Sequence, residues 1–216
     1  YNQIVAVVED IAPSVIKIGM LANKEVAIIV ADALSRYNIP TILDPVMVSS
    51  SGHRLLSLDA QEVVKERLLP LSTLVTPNIP EMEALTAMSL TTAEEKLSAA
   101  KYLLSLGAQA VLLKGGHEEG DTKCDTLYQL DGSNITQLHL STPTVATKNI
   151  HGTGCTLSSA IAAFMARGLM LREAVQEAKK YISEAILSGA DIAIGNGFGP
   201  VNHLFNPLPM QVYEER

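Results

Sequence analysis

"STLVTPNIPEMEAL", residues 72–85, changes its period partway through. Ser72 to Thr76 form an apolar run too brief for a helix, and Pro77 closes it. Asn78 then stands three residues before Glu81, which is the spacing of side chains that cap a new helix. The stretch therefore reads as a strand feeding a helix. The same punctuation recurs on either side. "SVIKIG" (14–19), "PTILD" (40–44) and "AVLLKGG" (110–116) are equally short apolar runs that end in turn-like residues. Segments of helical spacing separate them. In 23–36, Val26, Ile29, Val30, Ala33 and Leu34 are expected on one buried face, and Thr92 with Glu95 forms a capping box ahead of 93–106. Near-continuous apolar strands alternating with amphipathic helices predict an α/β fold, a largely parallel sheet with helices on both faces. A more polar pair, "DTLYQL" (125–130) and "ITQLHLST" (135–142), meets at Asp131-Gly132 as an antiparallel hairpin. Helices at about 153–167 and 171–188 complete the core.

Bulk composition narrows the function classes. The chain has 216 residues, 47% of them apolar and 18% charged, with 16 Lys and Arg against 23 Asp and Glu. That is one domain's length. A net charge of −7 with no Lys/Arg cluster argues against nucleic acid or an anionic membrane as the main partner. No apolar run reaches membrane-spanning length, and no signal peptide opens the chain. The two cysteines, Cys124 and Cys155, lack metal-ligand spacing and fit a reducing, cytoplasmic setting. Residue 1 is Tyr, inside what reads as a helix, so an N-terminal piece is expected to precede this sequence.

The layout locates a site without any motif. In open α/β sheets ligands bind beyond the carboxyl ends of the strands. Those ends carry Gly19-Met20, Asp44-Pro45, Thr76-Pro77-Asn78 and Lys114-Gly115-Gly116, and parallel strands bring them to one edge. A further segment, "NIHGTGCTLSSAIAAF" (149–164), puts Gly152, Thr153, Gly154 and Cys155 at the mouth of a helix built from small residues. Helix starts offer free N–H groups and partial positive charge, a seat for an anion. They can also lower a cysteine pKa from about 8.5 to roughly 3.5–7.5. Lysine against charge, carboxylates for Mg²⁺ and glycines for close approach form a phosphate-handling set.

Each member also has a plainer reading. Asp44 could terminate a strand, Asn78 and Glu81 could only cap a helix, Lys114 could be a solvated charge, and Cys155 could be a small packed thiol. His117 and His151 read as turn residues and Cys124 as structural. Convergence on one edge is what favours the functional reading. There is no G-x-x-x-x-G-K-[ST] loop, and "GNGFGP" (195–200) lacks the following helix of a dinucleotide site.

"IKIGML", "ILDPVMVSSSG", "LVTPNIPEMEAL", "LLKGGH", "HGTGCTLSSAIAA" and "GFGPVNH" occur here in the order seen in hydroxymethylpyrimidine/phosphomethylpyrimidine kinases, thiamine-biosynthesis members of the ribokinase superfamily. The resemblance runs over nearly the whole chain, and Cys in the glycine motif marks this subgroup. It implies a ribokinase-like three-layer sandwich and a homodimer. It implies ATP- and Mg²⁺-dependent phosphorylation of 4-amino-5-hydroxymethyl-2-methylpyrimidine, first to the monophosphate and then to the diphosphate. By the same resemblance Cys155 stands where the general base stands, beside an anion hole from Gly152, Thr153 and Gly154. Lys114 would meet the ATP phosphates, and Asn78 with Glu81 would match the element that organises Mg²⁺. Asp44 would support the metal through water, and Met20 and Val46 would line the pyrimidine pocket. Family members also carry a "GSDSGGGAGIQAD"-like segment and first strands that are not in this sequence. A Cys-containing pyridoxine/pyridoxal kinase is the nearest rival; a cysteine hydrolase and a non-catalytic binding module are more distant ones.

Overall fold

The structure, a computed structural model, describes residues 1–47, 55–116, 120–132 and 134–209. Its centre is a six-stranded sheet in simple sequential order: β1 (Ile16–Ile18), β2 (Thr41–Leu43), β3 (Leu74–Val75), β4 (Ala110–Leu113), β5 (Thr122–Asp131) and β6 (Asn134–Pro143). β1 to β4 pair in parallel. β5 and β6 run antiparallel as the expected hairpin, joined between Asp131 and Asn134.

Sequential order and right-handed crossovers together decide where the helices go. Crossovers that all advance in one direction stack their helices on one face. That face holds α2 (Lys24–Leu34), α3 (Leu58–Val63, continued by a π turn over Val64–Leu68), α4 (Ile79–Thr86) and α5 (Ala93–Ser105). α1 (Asn2–Ile11) flanks α2. The opposite face is covered by α6 (Thr153–Ala166) and α7 (Leu171–Gly189), which follow the hairpin. Strand alternation serves both layers. Leu43, Val75, Val111 and Leu113 enter the first core, whereas Ile42, Leu74, Ala110 and Leu112 enter the second. Runs such as "AVLL" are apolar at every position because neither face meets water.

Local signals agree with these boundaries. Thr92 and Glu95 make the predicted capping box of α5, and Asn78 and Glu81 make one for α4, with Pro80 in its first turn. α2 departs from expectation. Its buried residues are Ala27, Ala31, Ala33 and Leu34, while Val26 and Ile29 are exposed. Two stripes satisfy the helical period there, and the stripe carrying alanines lets the helix approach its neighbours closely. His117 and the Val48–Gly52 end of "ILDPVMVSSSG" lie outside the described residues. Among the described residues no helix is long and apolar enough to cross a membrane.

Candidate active site

The carboxyl ends of β1 to β4 form one edge, as the parallel pairing requires. Main-chain bonds stagger across it: Asp44 N–H to Ile18 O, Thr76 N–H to Leu43 O, and Lys114 N–H to Pro77 O, each 2.9 Å. An isolated parallel bridge then sets Asn78 beside Lys114.

Lys114 Nζ lies 2.9 Å from Asp44 Oδ1 and 3.7 Å from Glu81 Oε2. Asp44 is 1% exposed and also accepts bonds from Thr76 Oγ1 to Oδ1 and from Ser158 Oγ to Oδ2, both 3.1 Å. Ser158 belongs to α6, so this bond ties that helix to the end of β2. Glu81 is also buried and accepts the Asn78 N–H at 2.8 Å, while its own N–H donates to Asn78 Oδ1 at the same distance. The capping role of Asn78 and Glu81 is therefore real, and it holds the Glu81 carboxylate at Lys114.

Burial and charge pull the two acids apart. Burial opposes ionisation of Asp44, but the Lys114 charge and hydrogen bond, with Lys17 and Thr76, hold it below the usual carboxylate range. For Glu81 burial prevails over Lys114 and the Asn78 amide, and its carboxyl is pushed up. Burial would lower Lys114, yet Asp44 and Glu81 outweigh it and hold the ammonium above its ordinary value.

α6 starts at this edge. Gly152, its N-cap, has φ +85°, a backbone state that favours glycine. A Cβ on Gly154 would meet Lys114 Nζ at 3.3 Å, so the absence of a side chain there lets lysine and helix start approach. The Thr153 N–H is taken by Ile150 O at 3.3 Å, which leaves the Gly154 and Cys155 N–H groups as the first-turn donors for an anion. Cys155 is exposed, and the Asp44 carboxylate acts on its thiol. The expected depression of this thiol is not found. Burial pushes it up and Asp44 adds to that, against opposing pulls from Lys17 and Lys114. A helix start favours thiolate, but a neighbouring carboxylate favours the thiol.

The substrate-side residues divide. Val46, with Gly19, Leu21 and Pro45, lines a small crevice beside β2, whereas Met20 is 56% exposed and is not part of that lining. Two contributors were missed in sequence. Lys17, in β1, has its ammonium folded against Gly19 and its charge acts on both Asp44 and Cys155. Asn149, 1% exposed, donates to the carbonyls of Gly189 (2.7 Å) and Ile192 (2.6 Å) and so pins the turn before α6 to the end of α7. Gly199 packs on that amide, and its carbonyl accepts the His151 N–H at 3.0 Å. A Cβ at Gly199 would fall on Asn149 Oδ1. Gly199→Ala is expected to cost about 1–3 kcal/mol as overpacking, read as a lowered denaturation midpoint. His203 reaches the first turn of α6 through Thr156 Oγ1 at 2.9 Å.

Among the described residues no three His, Cys, Asp or Glu side chains converge as a metal cage. Two carboxylates do face the edge, and Mg²⁺ is ordinarily held by one or two carboxylates together with phosphates and waters. The donor set fits that ion.

A lysine clasped by two carboxylates thus stands opposite a glycine-opened helix start at the end of a parallel sheet, a charge arrangement suited to phosphate, on an α/β sandwich. The chain matches the phosphomethylpyrimidine kinase family model over residues 1–202 and belongs to that family. It is 44% identical over 204 residues to a thiamine biosynthesis bifunctional protein of Geobacter sulfurreducens, covering 94% of this chain and 40% of that one. It is 41% identical to the hydroxymethylpyrimidine/phosphomethylpyrimidine kinase of Escherichia coli, covering 93% and 75%. Among solved structures it resembles phosphomethylpyrimidine kinase from Clostridium difficile 630, at TM-score 0.71 and 38% identity over 86% of this chain and 74% of that one. It also resembles the ADP complex of Bacillus subtilis pyridoxal kinase, at TM-score 0.83 and 31% identity over 94% and 74%. The fold expected from the ribokinase-like resemblance is thereby borne out.

Proposed function

We propose that this protein transfers the γ-phosphoryl group of ATP to the hydroxymethyl oxygen of a hydroxymethylpyrimidine, and then a second one to the resulting phosphate, within thiamine biosynthesis. The observation that carries this reading is Lys114 Nζ held by Asp44 and Glu81 directly against Gly154 at the start of α6. There one ammonium and the helix N–H groups can share the oxygens of a transferring phosphoryl. Lys114 meets the nucleotide phosphates, and the Gly152–Gly154 turn with the Cys155 N–H seats the moving group. Cys155 receives the alcohol proton. Val46 and Met20 flank the ring. Glu81, with Asp44 behind it, would hold Mg²⁺, which when bound neutralises phosphate charge. Catalysis is then positioning and charge neutralisation, as in phosphoryl transfer generally. A homodimer and a cytoplasmic setting accompany this reading.

A pyridoxal kinase is the second reading, favoured by the TM-score of 0.83 to the Bacillus subtilis enzyme. Its identity of 31% lies below the 41–44% shared with the thiamine-pathway relatives. Competition between the two ring alcohols decides it: the proposal requires the pyrimidine to be the better acceptor by kcat/KM.

Glu81→Gln tests the metal assignment. Glutamine keeps an oxygen for the Asn78 N–H but loses the charge, so α4 stays capped. The Mg²⁺ concentration for half-maximal rate should rise by about 10-fold or more, with little change in melting temperature. An unaltered Mg²⁺ curve removes Glu81 from the metal.

A further inference from the structure

Asp125 on β5 and Lys179 on α7 form a buried ion pair that the chemistry above does not use. They are 4% and 9% exposed, and Lys179 Nζ donates to Asp125 Oδ2 at 2.8 Å. The other carboxylate oxygen, Oδ1, accepts the backbone N–H of Gly115 at 2.9 Å. Gly115 directly follows Lys114, so one carboxylate grips the main chain just beyond the lysine whose side chain reaches Asp44 and Glu81.

The ladder explains why a side chain is needed there. β4 and β5 are in register only as far as Leu113 and Thr126. At the next residue only the β3 side continues, where Lys114 pairs with Asn78 in the register that Val111 and Val75 set. The main-chain ladder to β5 ends there, and the Gly115 N–H is taken by the Asp125 carboxylate. Lys179 neutralises that carboxylate and aims it. Burying two charges is costly, and apolar residues of similar volume often serve stability as well or better. A pair placed on the peptide after Lys114 has a geometric use that packing alone does not supply.

We infer that Asp125, aimed by Lys179, is a positioning residue for nucleotide phosphate binding. It orients the Gly115 peptide so that Lys114 and the Gly115-Gly116 turn present a fixed surface to the triphosphate. This rests on the reading of Lys114 as the phosphate-binding lysine. Both transfers draw on the same nucleotide, so loss of the anchor affects both steps alike and leaves the acceptor alcohol's KM unchanged.

The test uses Asp125→Ala, which removes the acceptor for the Gly115 N–H, and the paired change Asp125→Leu with Lys179→Met, in the protein with its full sequence. The paired change removes both charges together and so guards against a single variant that fails to fold. Binding of the non-hydrolysable analogue AMP-PCP is measured by calorimetry beside steady-state rates with both acceptors. The expected result is a folded paired variant whose analogue Kd and ATP KM rise about tenfold or more, in the range that small misplacements of bound groups produce. Wild-type analogue binding and ATP KM in the paired variant, with only its melting temperature changed, overturn the inference. So does an effect confined to the pyrimidine's KM. If the paired variant does not fold, Asp125→Ala decides by the same two readings. Lys114→Ala separates the premises. Unchanged analogue binding in that variant defeats the lysine reading itself, whereas weakened binding there with normal binding in the Asp125 variants defeats only the positioning role.

Discussion

Replacing Cys155 by alanine should slow phosphorylation of the pyrimidine alcohol by roughly 10²–10⁴-fold, the usual worth of a positioned base, and slow the second transfer far less. The asymmetry follows from the acceptors. The alcohol is neutral and must lose a proton as the new P–O bond forms. The monophosphate has a second pKa of about 6 and already offers an anionic oxygen near neutral pH. Alanine is close to cysteine in size and keeps the N–H at the first turn of α6, so the anion seat survives. A merely packed cysteine predicts little change in either rate. Equal losses in both steps would deny Cys155 the role of base. The raised thiol adds a pH signature. Burial and Asp44 hold the thiol protonated at neutral pH, so the base form accumulates only above the ordinary thiol range. The first transfer should therefore gain about tenfold in rate per pH unit through neutrality, until it levels at the thiol's own pKa, while the second should not.

Lys114→Ala should impair both transfers by about 10²–10³-fold, since one donor to the same triphosphate is lost in each. It should also cost about 3–5 kcal/mol of stability, because it leaves the buried carboxylates of Asp44 and Glu81 without their cation. The pH dependence distinguishes this from simple loss of packing. In the native protein Asp44 sits below its unfolded value, so its contribution is full above about pH 4 and fades only as pH falls through the lowered value. Glu81 sits above its unfolded value, so it gains stability as pH falls. Lys114 sits above its own, and its contribution is lost only as pH rises past about 10.4. Without the ammonium, burial dominates for both acids and both take up protons more readily when folded. The variant should then melt higher at about pH 5 than at pH 8, a gain that the native protein shows only through Glu81. A melting temperature that falls on acidification in the variant would show that the carboxylates had found other partners.

The strand ends were legible because each is announced locally: an apolar run, then Gly, Asp-Pro, Thr-Pro-Asn or Lys-Gly-Gly. Both capping boxes were equally local, as was the hairpin at Asp131-Gly132. Contacts made across the fold were not legible. Ser158 reaches Asp44 from 114 residues away, and Lys179 reaches Asp125 from 54. Nothing in the spacing of either pair marks it. Lys17 was one residue of an apolar run, and Asn149 stood ahead of a helix start with nothing local to announce its partners. The direction of the Cys155 shift was misread for the same reason: the helix start is adjacent in sequence, but the opposing carboxylate is on β2's end. Met20 was assigned to the pyrimidine pocket by resemblance alone, and its 56% exposure outside the crevice that Val46 lines had no local signal in the sequence. On α2, larger side chains drew the assignment away from the alanine stripe that is buried.

Product analysis distinguishes two successive phosphoryl transfers, to a pyrimidine alcohol and then to its monophosphate, from a single transfer to a pyridine alcohol. The protein is incubated with ATP, Mg²⁺ and either 4-amino-5-hydroxymethyl-2-methylpyrimidine or pyridoxal, and products are followed by phosphorus NMR. A pyrimidine monophosphate should rise first and then be converted to the diphosphate, with two nucleotides consumed per diphosphate. A monophosphate formed on pyridoxal, with no diphosphate from the pyrimidine, would make the protein a pyridoxal kinase instead.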